Sequence, residues 1–110
     1  MSTVSTHVLD TALGRPAAGV AVRLERMDDG GAPLAEAITG EDGRVAALGP
    51  ADLAAGAYRV VFGTGAYFAR AGQRAFYPEV VISFLIEAGD GHYHVPLVLS
   101  PFGYATYRGS

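Results

Sequence analysis

Residues 92–110 read HYHVPLVLSPFGYATYRGS and carry the strongest structural signal in the chain. Because successive side chains of a strand point to opposite faces, the alternation predicts one apolar row and one mixed row. The apolar row consists of Tyr93, Val95, Leu97 and Leu99. The mixed row places His92 and His94 on a common face. Residues 100–103 have Pro and Gly at the second and fourth positions of a type I turn. The stretch therefore predicts a β-hairpin whose chain end, just after Arg108, is held in place.

The same alternation recurs in short segments along the rest of the chain. The predicted strands lie at residues 3–9, 20–25, 34–39, 44–48, 58–62 and 80–86, with glycine-containing turns between several of them. Residues 66–71 lack this alternation and are rich in helix formers, so we expect one short helix there. Seven or eight short strands and one helix predict an all-β sandwich.

The composition predicts one domain over residues 1–110 and excludes several classes of function. The formal net charge is −3, and the 8 basic residues are all arginines scattered along the chain. They do not form the concentrated basic face that nucleic-acid binding needs. No apolar run reaches the roughly 18 residues of a membrane span, and a signal peptide does not fit before His7. The absence of cysteine favours a reducing compartment, so we expect a cytoplasmic protein.

Two segments are apolar on both faces, which is more than a free sandwich needs. In the final hairpin and in residues 80–86, large apolar side chains occupy both rows of the alternation. Each sheet of a two-layer sandwich has only one inward face, so the outward apolar face needs a second cover. We therefore expect this face to be buried against another copy of the chain.

Three histidines and one arginine are the unusual polar groups on these apolar strands. Each has an ordinary interpretation: His7 as a hydrogen-bonded structural residue, Arg44 as a solvated cation, and His92 as an exposed residue beside a turn at residues 89–91. His92 and His94, with His7 as a third ligand, would also suit zinc with one open coordination position. Serine-nucleophile and nucleotide chemistry are disfavoured, because the chain has neither a Gly-x-Ser-x-Gly elbow nor a phosphate-binding loop.

Four separated motifs resemble those of one enzyme family. They are STHVLD at residues 5–10, GR at residues 43–44, HYHVPL at residues 92–97 and YRGS at residues 107–110. Together they resemble the 5-hydroxyisourate hydrolases, the transthyretin-related enzymes of urate breakdown, over essentially the whole chain. The YRGS ending is the most specific mark, because the hormone-carrying transthyretins share the fold but not this ending.

The resemblance implies a fold, an assembly and a reaction. The implied fold is a transthyretin-like sandwich of two four-stranded sheets with one short helix. The implied assembly is a homotetramer with its active sites in a channel between dimers. The implied reaction is the hydrolysis of 5-hydroxyisourate, an oxidised purine, to 2-oxo-4-hydroxy-4-carboxy-5-ureidoimidazoline on the route to allantoin. Water is the co-substrate, and neither a cofactor nor a metal is implied.

The resemblance also assigns catalytic roles to His7, Arg44, His94 and Ser110. A neutral imidazole accepts a proton from water near pH 7, so we expect His94 to be the base. His7 would orient the substrate or protonate the departing ring nitrogen, and these two roles are interchangeable. The guanidinium of Arg44 suits the oxygens of an oxidised purine and the oxyanion formed on attack.

The chain end is the other implied part of the site. His7 and Arg44 would bind the substrate together with Tyr107, Arg108 and Gly109. Tyr107 and Arg108 would close the pocket. Ser110 would hold a histidine in one tautomer, through either its hydroxyl or its terminal carboxylate.

Two other functions stay open at this point. A non-catalytic sandwich that carries a small ligand would line the channel with aliphatic groups, whereas His7, Arg44, His94 and Arg108 make it cationic and able to exchange protons. A zinc-dependent hydrolase is the third possibility, and its activity would be lost on chelation with EDTA.

Overall fold

The structure is a computed structural model that describes residues 2–89 and 91–110. Within this part of the chain there are nine strands, one α-helix and one 3-10 turn. The strands are β1 (Ser2–Asp10), β2 (Arg15–Pro16), β3 (Ala21–Arg26), β4 (Pro33–Ile38), β5 (Arg44–Val45), β6 (Gly56–Phe62), β7 (Val80–Ile86), β8 (Gly91–Ser100) and β9 (Gly103–Thr106). The helix α1 spans Thr64–Arg70, and the 3-10 turn spans Met27–Asp29. The turn predicted at residues 89–91 includes Asp90, which lies outside the described residues.

The strands form two sheets, and the predicted all-β sandwich with one short helix is confirmed. The first sheet has the order β2-β1-β8-β9, with β5 also paired to β1, and the second has the order β4-β3-β6-β7. β1 and β8 run parallel, whereas the other neighbours are antiparallel. The first sheet has five strands rather than the expected four, because β2 and β5, of two residues each, pair with different parts of β1.

The final hairpin forms β8 and β9, and its apolar row faces the core as the alternation predicts. The buried residues of this row are Tyr93, Val95, Leu97 and Leu99. Leu97 and Leu99 share one hydrophobic cluster with Leu24, Tyr58 and Phe62 of the second sheet. Side chains from the facing sheets therefore fill the space between them, as in other sandwiches.

The helix is joined to the end of β1 by a buried carboxylate. Asp10 accepts a hydrogen bond of 2.6 Å from the hydroxyl of Tyr67 on α1. The same carboxylate accepts the backbone N–H groups of Ala12 and Leu13 at 2.9 and 3.1 Å. Burial, followed by the bond to Asp10, raises the pKa of Tyr67 to about 12. The tyrosine therefore stays a donor at all physiological pH values, and it fixes the helix against the first sheet.

The outward faces of two strands expose large apolar side chains. Val81 and Leu85 of β7 are 40% and 70% exposed, and Phe102 and Tyr104 of the final hairpin are also exposed. These are the faces for which the sequence predicts a second copy of the chain, and that assembly stays a prediction. Among the described residues, no helix has both the length and the apolar character needed to cross a bilayer.

The strand predicted at residues 44–48 is shorter than expected. It ends at Val45. Beyond that point, two separate backbone hydrogen bonds join the chain to β1: the N–H of Leu48 donates to the carbonyl oxygen of Val4 at 2.9 Å, and the N–H of Leu53 donates to that of Ser2 at 3.1 Å. The intervening residues do not continue the ladder, so only Arg44 and Val45 are held as a strand beside His7.

Candidate active site

The parallel pairing of β1 and β8 brings the two ends of the chain together. Its register places Ser5 beside His94 and Thr3 beside His92. His7 lies opposite Pro96 on the same pair of strands and is half-buried. Parallel neighbours need a long connection between them. Here almost the whole chain lies between β1 and β8, so the pairing joins residues that are distant in sequence.

Arg44 reaches the same edge of β1 because of the glycine that precedes it. Gly43 has φ of +76°, and a Cβ at this position would lie 2.4 Å from the carbonyl oxygen of Val8. Its own carbonyl accepts the N–H of Val8 at 2.8 Å. The following residues then pair antiparallel with β1, with Arg44 opposite His7. Only glycine fits this left-handed turn and close approach, so the Asp-Gly turn determines where the guanidinium lies.

A cavity of about 240 Å³ lies where these segments meet. It is lined by Ser5, Thr6, Arg44, Val45, Ala46, His92, His94 and Ser110. Three of the four residues that were assigned catalytic roles are therefore brought together, namely Arg44, His94 and Ser110. His7 is next to this cavity, through its pairing with Arg44. Within the described residues Arg44 makes no ion pair, so its charge is available to a ligand.

The tail of the chain packs directly on the His94 imidazole. The N–H of Gly109 donates a hydrogen bond of 2.9 Å to the carbonyl oxygen of His94. A Cβ at position 109 would lie 2.5 Å from Cδ2 of His94 and 3.1 Å from Cγ of Pro96. A glycine is therefore required for the tail to approach the ring this closely. This contact also brings Ser110 to the cavity.

Tyr107 and Arg108 lie in a neighbouring cavity rather than beside Arg44. This second cavity has a volume of about 230 Å³, and His94 also lines it. The guanidinium carbon of Arg108 lies 4.4 Å from the centroid of the Tyr93 ring, a cation–π contact. The residues of the tail are therefore divided between two cavities: Ser110 lines the one that contains Arg44, whereas Arg108 lines the second and contacts the Tyr93 ring.

The surroundings of His94 favour its neutral form. Burial is the largest cause that lowers the pKa of His94, followed by the positive charge of Arg44 and smaller contributions from His7 and His92. A hydrogen bond with the backbone of Ser5 acts in the opposite direction. A neutral imidazole beside a guanidinium suits proton abstraction at neutral pH.

A hydrogen-bonded chain behind His94 was not predicted from the sequence. Ser5 Oγ lies 2.7 Å from Nδ1 of His94 and 2.8 Å from Nε2 of His92. Thr3 Oγ1 lies 2.6 Å from Nδ1 of His92. Ser5 thus holds the His94 ring, the role that we expected of Ser110, and a contact of Ser110 with a histidine stays a prediction. The alternation of β1 does place Thr3, Ser5 and His7 on one face. The sequence does not show, however, that β8 is the strand that lies beside β1.

The site residues do not form an evident metal centre. Across residues 2–89 and 91–110, no group of three or more histidine, aspartate or glutamate side chains is arranged to hold a metal ion. Nε2 of His92 and Nδ1 of His94 both contact the Ser5 hydroxyl. A larger groove of about 660 Å³ lies on the second sheet, lined in part by Arg23, Glu36 and Glu79, and no predicted site residue contributes to it.

The fold and the site together define a β-sandwich protein with a cavity lined by one arginine and two histidines. Residues 4–109 match the model of the HIUase/Transthyretin family, and the chain therefore belongs to this family. The resemblance drawn from the four sequence motifs is thus confirmed.

Individual relatives agree with this assignment. The chain is 49% identical over 109 residues to the 5-hydroxyisourate hydrolase of Salmonella dublin, with 97% of this chain and 80% of the relative covered. The solved structure of Klebsiella pneumoniae 5-hydroxyisourate hydrolase has a TM-score of 0.89 and 44% identity, and covers 98% of this chain and 99% of its own. The transthyretin of Sparus aurata has a TM-score of 0.88 but 31% identity, with 96% and 95% covered.

Proposed function

We propose that this protein hydrolyses 5-hydroxyisourate to 2-oxo-4-hydroxy-4-carboxy-5-ureidoimidazoline, a step of urate catabolism towards allantoin. The observation that carries the proposal is the single cavity in which Arg44, His94 and Ser110 meet. These residues come from three separated segments that match motifs of the family. The curated relatives named 5-hydroxyisourate hydrolase agree with a hydrolase.

The chemistry begins with a water molecule held between the substrate and His94. Nε2 of the neutral imidazole takes a proton from this water as its oxygen attacks a ring carbonyl carbon of the substrate. General base catalysis of this kind contributes roughly 10²- to 10⁴-fold in rate. The guanidinium of Arg44 stabilises the negative charge that develops on the carbonyl oxygen. The carbon–nitrogen bond of the six-membered ring then breaks, and the ring nitrogen takes a proton either from His7 or from the His94 imidazolium formed in the first step.

His7 and the chain end complete the proposed site. His7, next to Arg44 in the register of β1 and β5, orients the substrate or protonates the departing nitrogen. Ser110 contacts the substrate or the attacking water from the tail side of the cavity. Gly109 supports the proposed binding role by holding the tail on the His94 ring. Tyr107 and Arg108 bind the part of the substrate that extends towards the second cavity.

A ligand carrier of the transthyretin type is the weaker alternative. Identity is 31% to the Sparus aurata transthyretin, against 44–49% to the hydrolases from Klebsiella and Salmonella. The cavity also contains two histidines and an arginine. An apolar ligand would gain little from these ionisable groups, because it would have to desolvate them. Proton-transfer groups of this kind instead favour catalysis.

The proposal includes a homotetramer in the cytoplasm that acts as one domain over residues 1–110. The exposed apolar residues Val81 and Leu85 on β7 support burial against another copy. The cysteine-free composition supports a reducing compartment. Analytical ultracentrifugation tests the assembly: the expected mass is four times that of the 11.4 kDa chain, and a monomer would contradict it.

The activity is tested with 5-hydroxyisourate made freshly from urate and followed by its ultraviolet absorbance. The substrate decays spontaneously, so the comparison is the rate with and without purified protein. We expect a marked acceleration that is proportional to protein concentration and unchanged by EDTA. Decay at the spontaneous rate would refute the proposed activity, and loss of activity with EDTA would instead support the zinc-dependent alternative.

A further inference from the structure

We propose that Thr3, Ser5 and His92 are positioning residues, which select the His94 tautomer whose Nε2 is unprotonated. The inference rests on the proposed function, in which Nε2 of His94 accepts a proton from water. The three residues act through His94 and do not themselves react.

The geometry is a continuous chain of hydrogen bonds. Thr3 Oγ1 and His92 Nδ1 are 2.6 Å apart, His92 Nε2 and Ser5 Oγ are 2.8 Å apart, and Ser5 Oγ and His94 Nδ1 are 2.7 Å apart. Ser5 is buried, whereas His92 is exposed. The chain therefore runs from the surface to the ring that lines the cavity.

The Ser5 hydroxyl couples the two imidazoles because it has only one hydrogen. It donates to one ring nitrogen and accepts from the other. In the first arrangement, Nδ1–H of His94 donates to Ser5, Ser5 donates to Nε2 of His92, and Nδ1–H of His92 donates to Thr3. In the reverse arrangement every bond is turned, and the proton of neutral His94 lies on Nε2. Only the first arrangement leaves Nε2 able to accept a proton.

Arg44 favours the first arrangement. Its guanidinium has donors but no acceptor, and it lines the same cavity as His94. A lone pair on the cavity side of the ring is attracted by this positive charge, whereas an N–H there is repelled.

The first arrangement also suits the step that follows proton transfer. Once Nε2 has taken the proton from water, His94 is an imidazolium with both nitrogens protonated. Its Nδ1–H already donates to Ser5, so no hydroxyl has to turn. In the reverse arrangement Nε2 already carries the proton, so the chain would have to reorganise before Nε2 could accept one from water.

The tautomer is measured by two-bond ¹H–¹⁵N NMR of protein labelled with ¹⁵N-histidine, at a pH where His94 is neutral. In the wild type we expect His94 to be protonated on Nδ1. Ser5→Ala removes the acceptor, and His92→Ala frees the Ser5 hydroxyl to donate to His94. In both variants we expect the fraction of His94 that is protonated on Nε2 to rise above that of the wild type, although the charge of Arg44 still opposes this shift. His92 is exposed, so this second variant keeps the test available if Ser5→Ala does not fold.

Kinetics on the same variants provide the second readout. Groups that orient a reacting histidine typically contribute roughly 10- to 100-fold, and we expect a fall of about this size in kcat with KM nearly unchanged. Ser5→Thr retains a hydroxyl and should retain both the tautomer and the rate. Ser100→Ala is the matched control: it removes a β8 hydroxyl that donates to the carbonyl oxygen of Gly103 at 2.9 Å. We expect it to keep the wild-type tautomer and kcat.

Two results would overturn the inference. The first is a wild-type His94 that carries its proton on Nε2. The second is that neither Ser5→Ala nor His92→Ala changes the His94 tautomer or kcat. A wild type that does not accelerate 5-hydroxyisourate decay would refute the proposed function instead, because the NMR measurement needs no substrate.

Discussion

Gly109→Ala tests whether the tail holds the His94 imidazole in its reactive position. The added Cβ would lie 2.5 Å from Cδ2 of His94 and 3.1 Å from Cγ of Pro96. Carbon atoms in contact are normally about 3.5–4.0 Å apart. Either the tail or the ring must therefore move by roughly 1 Å to restore that spacing.

Either movement has a small effect on stability and a large effect on catalysis. Lifting the tail breaks the bond between Gly109 N–H and the carbonyl oxygen of His94, a loss of about 0.5–1.5 kcal/mol. Turning the ring breaks its bond with Ser5, which is of similar strength. A change of about 1 kcal/mol lowers Tm by roughly 4–8 °C in a domain of this size. Misplacing a reacting group by about 1 Å reduces the rate on the order of 10²-fold.

The matched control is Gly103→Ala in the same hairpin. A Cβ there would lie 3.7 Å from Ser100 Oγ, an ordinary contact. We expect kcat/KM of Gly109→Ala to fall about 100-fold in the ultraviolet assay, while the control keeps the wild-type value. Melting curves by circular dichroism should show both variants folded at the assay temperature. A wild-type rate in Gly109→Ala, or an equal loss in both variants, would refute this role of the tail.

Three further predictions concern the charge, the pH response and the stability of the fold. Arg44→Ala should lose most of the hydrolytic activity with an unchanged Tm. The control Arg74→Ala, which also replaces an exposed arginine, should retain the activity. Equal rates for the two variants would exclude a role of Arg44 in the reaction. Burial and the charge of Arg44 lower the pKa of His94, so kcat/KM should decline only below the ordinary histidine pKa of about 6.5. The residual activity of Arg44→Ala should decline at a higher pH than that of the wild type, and an unshifted profile would contradict this. Tyr67→Phe removes a donor from the buried Asp10 carboxylate and should lower the free energy of unfolding by roughly 1.5–3 kcal/mol in urea titrations, without changing kcat.

The sandwich was predictable because its signals are local. The alternation in the final hairpin and in the strand at Val80–Ile86 determines which side chains are buried, and the turn at residues 100–103 joins β8 to β9. The helix was predictable from a loss of alternation between Gly65 and Gly72. Each of these features depends on neighbours within a few residues, so a single sequence contains the information.

The contacts of the site were less predictable because they join distant segments. No local pattern shows that β1 lies parallel to β8, or that its register sets Ser5 beside His94. A shift of one residue would place the other face of β1 beside the histidines, and core packing rather than local sequence determines this register. The family motifs singled out Arg44 and His94, which we propose to be the reactive groups. They did not identify the Ser5 hydroxyl, which lies between the imidazoles of His92 and His94, because a serine in a strand has many ordinary roles.

The proposed hydrolysis requires the substrate to lie between Arg44 and His94. A crystal structure with a bound, unreactive oxidised purine analogue tests this directly. We predict that the guanidinium of Arg44 contacts an oxygen of the analogue, and that Nε2 of His94 faces the ring carbon open to attack, while Nδ1 stays on Ser5. An analogue bound away from this cavity, or contacting neither Arg44 nor His94, would contradict the account.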